Sequence, residues 1–170
     1  MVMLLRHLLS ILLLPTMVVV VVPYTLLRRS GPMIALGSGG VLPWFRVGAG
    51  AALLLCGFAL FAWSVGLFAR IGRGTLAPWD PTRNLVAVGP YQYVRNPMIS
   101  GVLLMLVGEA LLWGSRPVAV WAATFLVINQ VYFVLLEEPG LERRFGEAYR
   151  TYKAHVPRWI PRLRAGRAPS

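Results

Sequence analysis

Four long stretches almost free of charge constrain this chain more than any other feature. They run over residues 8–27, 44–69, 97–113 and 118–136, and Arg46 and Glu109 are the only Asp, Glu, Lys or Arg residues inside them. At 1.5 Å per residue as helix they reach about 26 to 39 Å, against a bilayer core of ~30 Å. A backbone in hydrocarbon must satisfy its own hydrogen bonds, so each stretch is read as a helix. Composition agrees: 57% of the residues are hydrophobic and 14% charged, with a mean hydropathy of +0.65. A soluble domain carries about a quarter charged residues. The expectation is an all-α integral membrane protein of a single domain over residues 1–170, with about four transmembrane helices. Leu141 to Tyr152 places apolar or aromatic residues at Leu141, Phe145, Ala148, Tyr149 and Tyr152. That spacing of three and four predicts a further, amphipathic helix lying at the interface.

Local signals mark where the spans begin and end. In the first, Pro15 predicts a kink, Pro23 strain or an early end, and Arg28-Arg29 a stop. The block is long enough to span and no small-residue cleavage site follows, which argues against a signal peptide. Residues 30–43, rich in Gly and Pro, read as a loop, and Trp44 as an interface residue. Gly48, Gly50, Gly57 and Gly66 provide small faces for close helix approach. Residues 70–96 form the longest polar connection, with a flexible Gly72–Thr75 linker, a turn-rich Ala77–Pro81 corner and an extended Asn84–Val88 piece. Gly114-Ser115-Arg116-Pro117 is a tight turn, so the last two spans make an antiparallel hairpin. Residues 163–170 read as a frayed tail.

With four spans both termini share one side, and that side holds thirteen of the seventeen basic residues. It is expected to be cytoplasmic, in a bacterial inner membrane. The net charge of +11 raises nucleic acid as a partner, but the basic residues flank the spans and fill the tail, as suits anionic lipid headgroups. No basic-plus-aromatic face lies outside the spans, so the expected partners are the bilayer and a lipophilic acceptor, with no nucleic acid. A lone Cys56 excludes an intrachain disulfide and a multi-cysteine metal site, and no metal-ligand spacing appears.

Two polar clusters fall on the same side. Gly89-Pro90-Tyr91-Gln92-Tyr93-Val94-Arg95-Asn96-Pro97-Met98-Ile99-Ser100-Gly101 precedes the third span, and Glu137-Glu138-Pro139-Gly140-Leu141 closes the fourth. Aromatic faces attract a cation such as a sulfonium. Asn96 both donates and accepts. Carboxylates at a membrane helix end need solvent or a partner, and neighbours on a helix point about 100° apart, so the two would address different groups, Arg95 or Arg143 among them. A plain aromatic belt with solvated acids fits the same residues. Glu109, inside the third span, is either a tolerated neutral group or reaches toward Arg116; Asn129 and Gln130 suit bonds across helices.

The pattern Gly89-Pro90-Tyr91-x-Tyr93-x-Arg95-Asn96-Pro97-x-x-x-Gly101 resembles the first signature of the isoprenylcysteine carboxyl methyltransferase and phospholipid methyltransferase superfamily. Glu137-Glu138-x-x-Leu141-x-x-x-Phe145-Gly146-x-x-Tyr149-x-x-Tyr152, followed by Val156-Pro157-Arg158-x-Ile160-Pro161, resembles its second. The resemblance implies a helical membrane enzyme that transfers a methyl group from S-adenosyl-L-methionine to a hydrophobic, lipid-like acceptor. It implies that Gly89, Pro90, Tyr91, Tyr93, Arg95, Asn96, Pro97, Gly101, Glu137, Glu138, Tyr149 and Tyr152 bind or shape the cofactor site, with residues 70–96 and 137–162 as the cytoplasmic cofactor region. Glu137 or Glu138 is then the candidate general base for an amine or thiol acceptor. Asn96 stands where the signature commonly carries His, and Ile99 where it carries an aromatic. Val131 to Leu136 lacks the arginine expected of prenylcysteine-specific members. The other readings are a nicotinamide-dependent lipid or sterol reductase on a related scaffold, and a non-enzymatic four-span protein.

Overall fold

The computed structural model describes residues 13–30, 41–72 and 84–163, and among these it contains helices and no strand. Helix α1 is Leu13–Ser30. Helix α2 is Val41–Leu67, prolonged by a π turn at Phe68–Gly72. A 3₁₀ turn at Gly89–Gln92 precedes α3 (Pro97–Trp113), α4 (Arg116–Tyr132) and α5 (Glu138–His155). Among the described residues three helical runs are long and apolar enough to cross a membrane: Leu13–Ser30, Pro43–Gly72 and Arg116–His155; Pro97–Trp113 is apolar but shorter. The expectations placed on Arg6 and His7, on most of the glycine-rich loop after Ser30, on Gly74-Thr75, on Ala77–Pro81 and on the tail after Leu163 lie outside the described residues.

Of the two charged clusters that close apolar stretches, Arg28-Arg29 lie at the described end of α1, and the acidic pair lies within a continuing helix. Arg28 and Arg29 sit in the last turn of α1, where cations oppose the exposed carbonyl ends, and the Arg28 guanidinium lies 5.1 Å from the centre of the Tyr24 ring. At the other end of the chain the acidic pair does not break the backbone. Helix α4 passes through a π turn, Phe133–Glu137, straight into α5.

The same device carries α1 past its proline. The N–H of Val22 bonds the Met17 carbonyl and that of Glu138 bonds the Phe133 carbonyl, each five residues back, and each is followed by a proline, Pro23 or Pro139. A proline ring clashes with the carbonyl four residues earlier; widening the turn by one residue makes room for it. In that register Pro23 would have bonded Val18 O but has no N–H to give. The indole N–H of Trp121 on α4 donates to that oxygen instead, at 3.0 Å. The proline thus becomes a tether between α1 and α4.

Helices α2 and α3 cross with their backbones almost touching. A Cβ added at Gly57 would lie 2.6 Å from Gly101 O, and one at Gly50 2.8 Å from Gly108 O. The reverse additions meet Gly57 O and Gly50 O, both at 2.7 Å. The two pairs are one heptad apart on each antiparallel helix, so a stripe of missing side chains makes the interface, and dispersion between close-packed backbones holds it. Gly48 and Gly66 have nothing within 4 Å. The turn into α4 forms as its residues suggest: Gly114 is left-handed, Ser115 N–H bonds Ala110 O at 3.0 Å, and the Ser115 hydroxyl caps Val118 N–H.

Leu106, Val102 and Met105 of α3 pack against Ala122 and Phe125 of α4, with Val18 and Val19 of α1 and Phe61 of α2 against the same cluster. The apolar residues of α5 meet other segments of the chain. Leu141, Phe145, Tyr149 and Tyr152 pack on Leu85, Ala87 and Val156. Inside α5, Gly146 takes φ 53° and ψ −127°, which breaks the helical path between Phe145 and Tyr149.

Candidate active site

The segment that leads into α3 is held from three sides. Gly89 turns the chain at φ 58° close over Leu67 and Trp63 of α2, and Pro90 and Tyr91 are buried behind it. The Tyr152 hydroxyl donates to Tyr91 O at 2.7 Å. The strap after α5 then pairs with the segment through backbone bonds, Arg95 N–H to Pro157 O at 2.9 Å and Arg162 N–H to Tyr93 O at 3.0 Å. Trp159 ties this strap to α4, its indole N–H donating to Gln130 Oε1 at 2.8 Å and its ring tilted on Phe133. Gln130 therefore bonds the strap rather than another membrane helix. Asn129 bonds Phe125 O of its own helix at 2.8 Å.

These contacts bring the two polar clusters to one cavity of about 530 Å³, within the range that holds a cofactor-sized ligand. Its polar end is lined by Tyr91, Arg95, Asn96, Glu137, Arg144, Tyr149 and Tyr152. Its other end runs between the membrane helices to Val18, Phe61, Val102 and Phe125.

The adjacent glutamates go separate ways. Glu138 is buried and gathers three cations: Arg95 at 3.0 Å, Arg158 at 2.7 Å and Lys153 at 3.1 Å. Lys153 is shared with Glu142 at 2.7 Å. Arg143 takes no part and bonds Pro139 O. Glu137 lines the cavity, just past the apolar stretch. Burial pushes its carboxyl up to about 7, the charge of Glu138 adds to this, and Arg144 opposes it. The Tyr149 hydroxyl is pushed up to about 12, and burial raises Tyr91 and Tyr152 as well, so all three are neutral donors near neutral pH.

The other expected site residues are placed away from the cavity wall. Tyr93 is exposed, Pro97 opens α3, and Gly101 lies at the α2–α3 crossing. Conversely, Arg144, Asn129, Tyr132 and Met98 line the cavity and were not singled out as site residues from the sequence. Arg144 had a findable signal: it follows Glu137 by seven residues, two helical turns, and so shares its face. Arg158 and Lys153 as partners of Glu138 had none. Glu109 does not reach Arg116; its Oε2 is buried without a hydrogen-bond partner among the described residues.

Arg95 offers donor capacity to a ligand. It lines the cavity, yet its Nε and Nη1 are buried without a well-aligned hydrogen bond among the described residues, Nη1 meeting Glu138 as an ion pair only. Tyrosine rings, a cavity-lining carboxylate and an under-used guanidinium around a cavity of this size fit a zwitterionic, nucleoside-sized cation.

Among solved structures the chain has no significant match. Over 77 residues it is 32% identical to a methanethiol S-methyltransferase of Pseudomonas deceptionensis, an alignment that covers 44% of this chain and 27% of that protein. The chain thus corresponds to well under half the length of that relative. The family model described as phospholipid methyltransferase matches residues 45–148, from the start of α2 into α5, and so takes in Tyr91, Arg95, Asn96, Glu137 and Glu138. With more than half of the chain matched, from the glycine-paired helices to the acidic pair, this protein belongs to the phospholipid methyltransferase family.

Proposed function

We propose that this protein is an S-adenosylmethionine-dependent membrane methyltransferase, with the cofactor in the polar end of the cavity and a hydrophobic acceptor in the apolar end. The observation that carries this reading is that Tyr91, Arg95 and Asn96 share one cavity with Glu137, while that cavity continues into the membrane core. Arg95 and Arg144 suit the cofactor's carboxylate, and Glu137 its ammonium or ribose hydroxyls. The rings of Tyr91 and Tyr149 suit its sulfonium. When bound, the cofactor supplies an activated methyl group, so the protein contributes orientation and exclusion of water. Glu137, held near neutrality, is also placed to accept a proton from an amine or thiol. Glu138 has a positioning role: it fixes Arg95 and, through Arg158, the strap that carries the motif.

The same reading has four spans. Helix α3, 17 residues long, crosses between α2 and α4. The described start of α1 and the whole of α5 then lie on the cavity's polar side, which suits an even number of spans. The basic count supports placing that side in the cytosol of a bacterial inner membrane. The amphipathic character of α5 serves the protein's own site rather than the lipid surface. The family match runs against a nicotinamide-dependent reductase and against a non-enzymatic membrane protein.

The test is purified protein in nanodiscs with methyl-tritiated S-adenosylmethionine, a total lipid extract and, separately, small thiols. Transfer of label that Glu137→Gln reduces supports the reading. Calorimetric binding of a reduced nicotinamide dinucleotide, with none of S-adenosylmethionine, would overturn it.

A further inference from the structure

Cofactor binding at the polar end leaves the apolar end of the cavity unused. Its floor is made by Val18, Phe61, Val102 and Phe125, one side chain from each membrane helix. Val102 and Phe125 are buried members of the main core cluster, and Val18 and Phe61 pack against it. The floor is thus part of the protein's own hydrophobic core. Val18 is fixed as well as packed, because Trp121 holds its carbonyl at 3.0 Å.

Depth along α4 sets a length. Tyr132, at the polar rim, stands seven residues from Phe125, at the floor. At 1.5 Å per residue that is roughly 10 Å. A zigzag alkyl chain with C–C bonds of ~1.5 Å advances about 1.25 Å per carbon, so roughly eight carbons span the distance. Between rim and floor the wall includes Ile99 of α3 and Asn129 of α4, and Asn129 has its amide N–H turned back to Phe125 O.

From this we infer that the methyl acceptor is a single-chain apolar molecule bearing a protic nucleophile, thiol or amine. Its chain, up to about eight carbons, lies in the lobe closed by Val18, Phe61, Val102 and Phe125. Two-chain phospholipids exceed it. The inference rests on the methyltransferase reading. The step balances as a displacement: the nucleophile gives its proton to the Glu137 carboxylate and its lone pair forms the new bond to the methyl carbon. The methyl–sulfonium bond breaks, and its electron pair stays on the cofactor's sulfur, leaving a neutral thioether.

The experiment uses the full chain in nanodiscs with linear thiols, and in parallel linear amines, of about two to sixteen carbons. Each added methylene is expected to raise kcat/KM roughly three- to fourfold up to about eight carbons, with a steep fall beyond. Phe125→Ala is expected to move the optimum about three carbons longer and Val102→Phe to shorten it, the overlap with Val102 being the reason. If Val102→Phe does not fold, Phe61→Ala, which opens the same floor, is read instead and lengthens the optimum. A second readout needs no turnover: an eight-carbon thiol ending in a photoreactive diazirine, irradiated without S-adenosylmethionine, labels Val102, Phe125 or Phe61 in peptide mass spectra.

Rates flat to sixteen carbons, or label only on exposed residues such as Val131 of α4 and Leu135 of the π turn after it, overturn the proposal. Floor labelling without any methyl transfer or S-adenosylmethionine binding keeps the apolar site and discards the enzymatic reading. Transfer with a flat length profile does the reverse.

Discussion

Replacing Glu138 by Gln keeps its shape and removes its charge, and the structure states what that leaves behind. The side chains of Arg95 and Arg158 are 10% and 17% exposed and meet Glu138 at 3.0 and 2.7 Å. Neither has another carboxylate within salt-bridge distance among the described residues, whereas Lys153 keeps Glu142 at 2.7 Å. Breaking a buried ion pair by removing one partner costs about 3–5 kcal/mol, because the remaining charge stays desolvated. We take the lower value, ~3 kcal/mol, since the amide oxygen still accepts one hydrogen bond. For a chain of this size 1 kcal/mol moves Tm by about 2–4 °C, so Glu138→Gln should melt roughly 6–12 °C lower. Intrinsic tryptophan fluorescence during heating in nanodiscs reads this directly. Glu137→Gln, by contrast, removes a charge that burial disfavours and should melt no lower than the wild type near neutral pH. If Glu138→Gln melts within about 2 °C of the wild type while Glu137→Gln is the destabilised variant, the assignment of the structural role to Glu138 and the cavity role to Glu137 is wrong.

Burial holds Glu137 at about 7 against 4.5 for the exposed group, so the native state retains a proton that the unfolded chain has released. This group's contribution to stability is therefore present at acid pH and is lost as pH rises from about 4.5 to 7. Proton acceptance runs the other way, so methyl transfer should rise through about pH 7, and Glu137→Gln should flatten that limb of the pH–rate profile. Gly57→Ala, whose Cβ meets Gly101 O at 2.6 Å, should destabilise by about 1–3 kcal/mol, while Gly66→Ala, in open space, should be neutral in the same melting assay. Tyr152→Phe loses the buried 2.7 Å bond to Tyr91 O and should lower stability by about 1–2 kcal/mol, together with affinity for S-adenosylmethionine. Gly146→Ala should destabilise by about 1–3 kcal/mol although nothing crowds its Cβ, because its φ of 53° with ψ of −127° suits only glycine; urea or thermal midpoints check this.

Much of the architecture is legible in the residues themselves. Apolar length locates α3 to the residue, and Gly114, Ser115 and Pro117 specify the turn into α4 because each has one conformational or capping task there. Helix ends were less legible where charge and proline were taken as stops. The helix runs on through the Glu137-Glu138 pair, and a π turn lets it continue past Pro23 and Pro139. The amphipathic stripe of α5 was visible as a stripe, but periodicity reports that a face is apolar and is silent on what covers it. Here Leu85, Ala87 and Val156 cover it, more than thirty residues away in one case and beyond the helix end in the other.

The sequence alone determined the solvent, the helical class and the two polar clusters, because these follow from the transfer cost of charge and backbone along a local stretch. It also determined that Glu137 and Glu138 could not serve the same partner, since neighbours on a helix diverge by about 100°. Only the tertiary structure decided which of them faces the cavity and which is locked among Arg95, Lys153 and Arg158. That choice depends on the rotation of α5 about its axis. The rotation is set by the π turn before Pro139 and by packing against a segment fifty residues earlier in the chain. Such pairings are long-range, and no local pattern of residue types encodes them.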